Sequence, residues 1–208
     1  MNQQSEQFLK HNPKLEIIAG KEQEKQGFSN KYVEELQPIS IGDLCVCFLH
    51  TPGHKNDFYT IEITQVNDFS TKLPALFTGE MLLVSSLGDF EEFNALKFVQ
   101  SLFKLKAFPN ESLVFPGRDG ELKNLIFSKA LDPNNNVINS KIQLVQEALN
   151  NQQNHILPSS LIEEKSCNPY LRIHEKYIQN ILEVKDQISA FKAIKKLQQV
   201  FFQQNNNL

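Results

Sequence analysis

The chain has 208 residues, enough to bury a substantial core, and its 21 Lys and Arg against 24 Asp and Glu leave a formal charge of -3. That balance gives no electrostatic case for nucleic acid or for an anionic membrane. No apolar run approaches the ~20 residues of a membrane helix, and the opening "MNQQSEQFLKHNPKLE" has neither a hydrophobic signal core nor an Arg-rich transit pattern. The expectation is a soluble cytoplasmic protein, with a mitochondrial placement left open.

In chain order, "SEQFLKH" reads as a short helix end and "KLEIIAG" as a strand stopping at Gly20, followed by a polar stretch over residues 21–40 with no clear period. Three apolar runs come next, "GDLCVCFLHT", "FYTIEITQV" and "LPALFTGEMLLVSS", separated by turn chemistry at Pro52-Gly53 and Asn67-Asp68. They read as adjacent strands of one sheet. Cys45 and Cys47 lie two apart on such a strand, so they share a face with Leu49, opposite Leu44, Val46 and Phe48. With Cys167 the only other cysteine, neither a disulfide framework nor a structural zinc site is expected, and all three read as buried, inert thiols.

After Gly88 the period changes. Phe90, Phe93, Val99 and Leu102 predict a helix starting near Asp89, "ESLVFPG" a short strand, and "ELKNLIFSKAL" and "NVINSKIQLVQEALNNQ" two helices. "HEKYIQNIL" and "QISAFKAIKKLQQVFF" add two more, and the polar "QQNNNL" reads as a disordered tail. Strands first and helices after predict an α+β or layered α/β/α architecture. The lysines of "FKAIKK" read as a solvated helix face.

Four stretches taken together carry a resemblance: "HTPGH" at 50–54, "LFTGEMLL" at 76–83, "VFPGRD" at 114–119 and "LPSSLIEEKSCNPYLR" at 157–172. In this order and at this spacing they resemble glyoxalase II, the hydroxyacylglutathione hydrolases of the metallo-β-lactamase fold, from about residue 14 to about residue 203. The resemblance implies a partial metallo-β-lactamase-type αββα sandwich over 1–133, without the N-terminal metal-loop strands. A helical glyoxalase II-type segment over 134–203 and the tail at 204–208 would follow.

The family hydrolyses a glutathione thioester with two divalent ions, zinc or iron, which acidify a bound water and polarise the carbonyl. Its ligands are a "THxHxDH" loop, the histidine of "TPGH", the aspartate of "FTGD" and the histidine of "PGHE". By this resemblance residue 1 aligns just after the first loop. His54 keeps its ligand position, whereas His50 is not a ligand. Glu80 stands at the aspartate position, its carboxylate moved by ~1.5 Å against a tolerance of roughly 0.5 Å. Arg118 stands at the last histidine position and has no lone pair to donate. His54 and Glu80 are therefore vestigial metal positions. The residue types predict that Glu80 and Arg118 form an ion pair in the vacated site, within about 4 Å.

On the substrate side the family grips glutathione with basic and tyrosine side chains. Here Asp89 and Glu91 take a Lys and a Tyr position, Gly120 takes a second Tyr and Gln198 a Lys, which leaves Lys195 as a stand-in for an Arg. Carboxylates facing an anionic ligand repel it by about 4 kcal/mol per pair near 4 Å. Asn168, Pro169 and Arg172 read as a structural turn before a helix. The expected function is a glyoxalase II-like pseudoenzyme without a bound cofactor, acting in binding or assembly. A partner chain or self-association would cover its incomplete sheet. The alternatives are a metal-dependent thioester hydrolase of the S-lactoylglutathione type whose metal-binding N-terminus lies outside this chain, and a degenerate product that never folds stably.

Overall fold

The computed structural model describes residues 3–26, 29–66, 73–90, 94–118, 120–151 and 158–205. Glu91 and Phe93, the Asn67-Asp68 turn, Asp119 of "VFPGRD" and the tail at 206–208 lie outside the described residues. Six strands form one sheet in sequence order: β3 (Ile39–Ile41), β4 (Leu44–His50), β5 (Tyr59–Gln65), β6 (Ala75–Gly79), β7 (Leu113–Pro116) and β8 (Ser159–Ser160). All neighbours are antiparallel except β6 and β7, which run parallel and are joined by a crossover through helix α2 (Ala95–Lys106). A two-stranded parallel pair, β1 (Ile18–Gly20) and β2 (Lys31–Val33), stands apart from this sheet. Helix α1 (Gln3–His11) precedes it.

The sheet has two unlike faces, and the register assigns them. Val46 pairs with Ile63, Phe48 with Ile61, Ile61 with Phe77 and Phe77 with Phe115, so these residues share one face. Val33 packs on Val46 and Phe48 there. Farther along the same face Phe77 and Phe115 stack with ring centroids 4.9 Å apart, and Phe77 keeps 42% of its surface exposed.

The other face, with Leu49, Leu76 and Val114, lies toward the helices α3 (Glu121–Leu131), α4 (Asn136–Asn150), α5 (Leu161–Cys167), α6 (Lys176–Ile181) and α7 (Gln187–Gln204). Its main core joins Leu49, Phe98, Val114, Phe127, Tyr170 and Phe191, so one cluster draws on both sides of the expected boundary at residue 133. Rings of Phe90, Phe98, Tyr170 and Phe191 meet at 4.7–5.6 Å and lock α2 to α7. Helix α2 begins at Ala95, later than the periodicity predicts, and Phe90 reaches the core from an irregular segment before it.

Helix α4 starts where the Asn135 side chain accepts from Val137 and Ile138, and α5 starts with a complete capping box between Ser160 and Glu163. The C-terminal segment is bound to the sheet through a charged network. Lys141 Nζ lies 3.0 Å from Glu164 Oε1 and 2.6 Å from Ser159 Oγ, while the backbone N–H of Ser85 donates to Glu164 Oε2. All four residues are buried. Cys167 is buried, as expected. Cys45 and Cys47 are not: both are only half-buried, because the face of β4 that carries them is incompletely covered at that end.

Candidate functional site

The candidate site lies where the parallel strands β6 and β7 end, the edge at which an α/β layer presents ligand-binding turns. Gly117 donates its N–H to the carbonyl of Gly79 at 3.0 Å. A Cβ on Gly117 would stand 2.8 Å from the Gly79 Cα, so the two turns touch only because one residue is a glycine. Thr78 Oγ1 donates to the Leu82 carbonyl at 2.6 Å, and Gly88 N–H to the Glu80 carbonyl at 2.8 Å. These bonds fold residues 78–88 into a tight rim and aim Glu80 across it.

Opposite Glu80 stands Arg118, whose Nη2 is 3.1 Å from Glu80 Oε2. The pair is open to water: half of the Arg118 side chain and a quarter of the Glu80 side chain are exposed. An exposed pair contributes about 0–1 kcal/mol, not the several of a buried one.

The "TPGH" turn is set by α2. Ser101 Oγ donates to the Pro52 carbonyl at 2.7 Å, and Gly53 lies so close to Phe98 that a Cβ would meet the ring at 2.6 Å. His54 then donates from Nδ1 to the carbonyl of Asp89, and its ring stands edge-on to Phe58. That bond leaves Nε2 as the nitrogen directed elsewhere, an arrangement common among metal-bound histidines. His50 has a structural bond of its own, from Nε2 to the Asn56 carbonyl at 2.9 Å.

The donor set does not fit the family's two-metal centre. Among the described residues no group of three or more His, Cys, Asp or Glu side chains could hold a metal ion. Glu80 faces a permanent cation rather than a second donor.

Beside Arg118 a cavity of about 280 Å³ opens between the rim, α3 and α7. Its charged lining comprises Arg118, Lys123 and Lys195 against the carboxylate of Asp89, an excess of cations. Asp89 Oδ1 accepts from Lys195 Nζ at 2.7 Å, and Lys195 also lies 5.2 Å from the centroid of the Phe90 ring. The hydrogen bond and charge of Lys195, with smaller help from Arg118 and His54, hold the Asp89 carboxyl below the usual range. Asp89 is thus a partnered carboxylate, not the free repulsive one that its sequence position suggests. Lys195, expected to grip substrate, is held by a side chain of its own protein.

Gln198 is buried, donating to Ser86 Oγ at 2.9 Å and accepting from Tyr170 Oη at 3.0 Å, so its role is packing. Gly120 caps α3 in the left-handed region at φ 117°. Lys123 was not singled out by the sequence. It lies 4.7 Å above the Phe202 ring, and its only signal was its place on the first turn of α3, after "PGRDG".

Residues 119–201 match the family described as "Hydroxyacylglutathione hydrolase C-terminus". Among curated proteins the chain is similar to the cytoplasmic hydroxyacylglutathione hydrolase of Arabidopsis thaliana, 29% identical over 88% of this chain and 70% of that protein. It is 28% identical to the hydroxyacylglutathione hydrolase of Chelativorans sp. strain BNC1, over 93% of this chain and 74% of that protein. Among solved structures, ETHE1 from Myxococcus xanthus superposes with a TM-score of 0.53 at 21% identity, covering 92% of this chain. This chain spans 62% of the length of that structure, less than two thirds of it.

Proposed function

We propose that this chain, which belongs to the glyoxalase II family on the metallo-β-lactamase fold, is a pseudoenzyme that binds rather than hydrolyses. The observation that carries this reading is the Arg118–Glu80 pair at 3.1 Å. A guanidinium placed where a divalent ion would need a donor repels the ion and engages the one carboxylate able to bridge two ions. The adjoining cavity keeps an excess of positive charge over Arg118, Lys123 and Lys195, which suits a small carboxylate-bearing molecule and needs no chemistry from the chain.

Metal analysis after dialysis against zinc or iron, paired with a hydrolysis assay on S-lactoylglutathione, tests this. The expected result is no stoichiometric metal and a rate equal to the blank. Two retained ions per chain with thioester turnover would overturn it.

The rival reading, a metal-dependent thioester hydrolase completed by a metal-binding N-terminus beyond this chain, draws on the orientation of His54, whose Nδ1 bond frees Nε2 for a ligand role. It predicts that this protein binds at least one ion, which the same dialysis measures.

Within the binding reading, the sheet face around Phe77 and Phe115 is covered in solution by another protein surface, a partner or a second copy. Sizing at micromolar concentration, alone and with Phe77→Ser, checks it. A strictly monomeric species with no captured partner counts against that part.

A further inference from the structure

Away from the rim, strand β4 carries two cysteines that the site does not use. Cys45 and Cys47 are separated by one residue, point to the same sheet face, and are both half-buried. Their neighbours on that face are Ser40 and Thr64, paired with Cys45, and Glu62, paired with Cys47. Leu49, next along the same face, goes into the main core, so the helices cover that end and leave the cysteine end open.

Geometry excludes the obvious redox product. Same-face residues two apart on a strand have Cα and Cβ atoms separated by roughly 6.6 Å, whereas a disulfide needs Cβ atoms about 3.8 Å apart. The strand pairs with β3 and β5 through this segment, so it cannot contract to close the bond. A metal between the sulfurs asks for less. Two bonds of ~2.3 Å in line span about 4.6 Å, a gap that side-chain rotation alone can reach from that backbone. Zinc and iron need more donors than two, and no group of three His, Cys, Asp or Glu side chains that could hold a metal ion occurs among the described residues. Thiolate pairs select soft, low-coordinate ions, of which Cu(I) is the physiological representative.

We propose that Cys45 and Cys47 form a two-coordinate dithiolate site for Cu(I) on the open face of β4. On binding, each thiol loses its proton to water and its sulfur donates an electron pair to the metal. Two S–H bonds are replaced by two S–Cu bonds, two protons are released and copper stays monovalent throughout.

Anaerobic titration of the full chain with Cu(I) held by bicinchoninate is the test. The chain is expected to withdraw about one ion per molecule. Cys45→Ser and Cys47→Ser should each abolish that uptake, and Cys167→Ser should leave it unchanged. Failure of the unaltered chain to compete with bicinchoninate, or full uptake by the double serine variant, would overturn the proposal. Copper-edge X-ray absorption on the unaltered protein gives a readout independent of any variant's folding. Two sulfur neighbours are expected, and a shell of nitrogen or oxygen donors would overturn the site.

Discussion

The guanidinium of Arg118 and the carboxylate of Glu80 meet at 3.1 Å across the rim formed where β6 and β7 end, with half of the arginine side chain in water. Water at the pair lowers its worth, so the contact adds little to whether the protein folds. Arg118→Gln and Glu80→Gln should each change unfolding free energy by within about 1 kcal/mol, read from urea midpoints at constant slope. A loss of several kcal/mol would show that the pair is buried in solution.

Lys141 and Glu164 should behave oppositely. Their side chains are 4% and 0% exposed at 3.0 Å. Burial pushes the lysine down, but the nearby carboxylates outweigh it and raise the group, so it stays charged. Lys141→Met strands the Glu164 carboxylate and is expected to cost about 3–5 kcal/mol, visible as a large drop in the chemical midpoint.

Acid should weaken the fold in a defined window. For Asp132, burial acts upward, but bonds from Arg172 at 2.6 Å, Asn135 and Tyr177 prevail and hold the carboxyl low. Asp89 is held low by Lys195. A depressed carboxyl contributes its full stabilisation above its unfolded value, about 3.9, and loses it as pH falls through the folded value. The stabilisation from these two carboxyls should therefore be level above about pH 5 and fall below about pH 4. Asp132→Asn should flatten that fall while lowering stability at neutral pH, in thermal melts across the range.

Thiol labelling should separate the cysteines into two classes. Cys45 and Cys47 are half-buried, whereas Cys167 is 1% exposed and pushed far up by burial. A chromogenic disulfide reagent at mildly alkaline pH is expected to reach Cys45 first, Cys47 more slowly because burial and Cys45 hold its thiol up at about 11, and Cys167 only after denaturant is added. Three fast thiols would contradict the packing of α5.

Gly117 should not tolerate a side chain. An added methyl meets the Gly79 Cα at 2.8 Å, backbone against backbone, so neither partner can rotate away. Gly117→Ala is expected to cost about 1–3 kcal/mol, measured by thermal melting, and to loosen the Arg118–Glu80 contact that the turn supports.

Periodicity made β4, β5 and β6 legible, and the helices α3, α4 and α7, because each is long enough to show its period and has one buried face. The short β1 was legible too, as an apolar run stopping at Gly20, whereas β2, β3 and β8, of two or three residues, carry no period to read and exist through pairing that sequence does not display. The box of Ser160 and Glu163 starts α5, a signal that the reading of "LPSSLIEEKSCNPYLR" did not single out. At the site, the nature of Glu80 and Arg118 pointed to an ion pair, but their exposure depends on packing that no local pattern encodes. The Asp89–Lys195 bond joins residues 106 positions apart, so alternation and spacing were blind to it. The cysteine face was read correctly from alternation, while its openness at the end of β4 was not.

The turn at residues 83–86 is fastened from the far end of the chain. Glu164 accepts from the Ser85 N–H at 2.8 Å, and the Asn168 amide donates to the carbonyls of Leu83 and Ser86. These bonds cross about 80 residues, so the rim, closed locally by its own short-range bonds, is anchored to the body of the protein by side chains that come far later in the sequence. A chain stopped before Glu164 would carry every residue of the rim but none of these anchors.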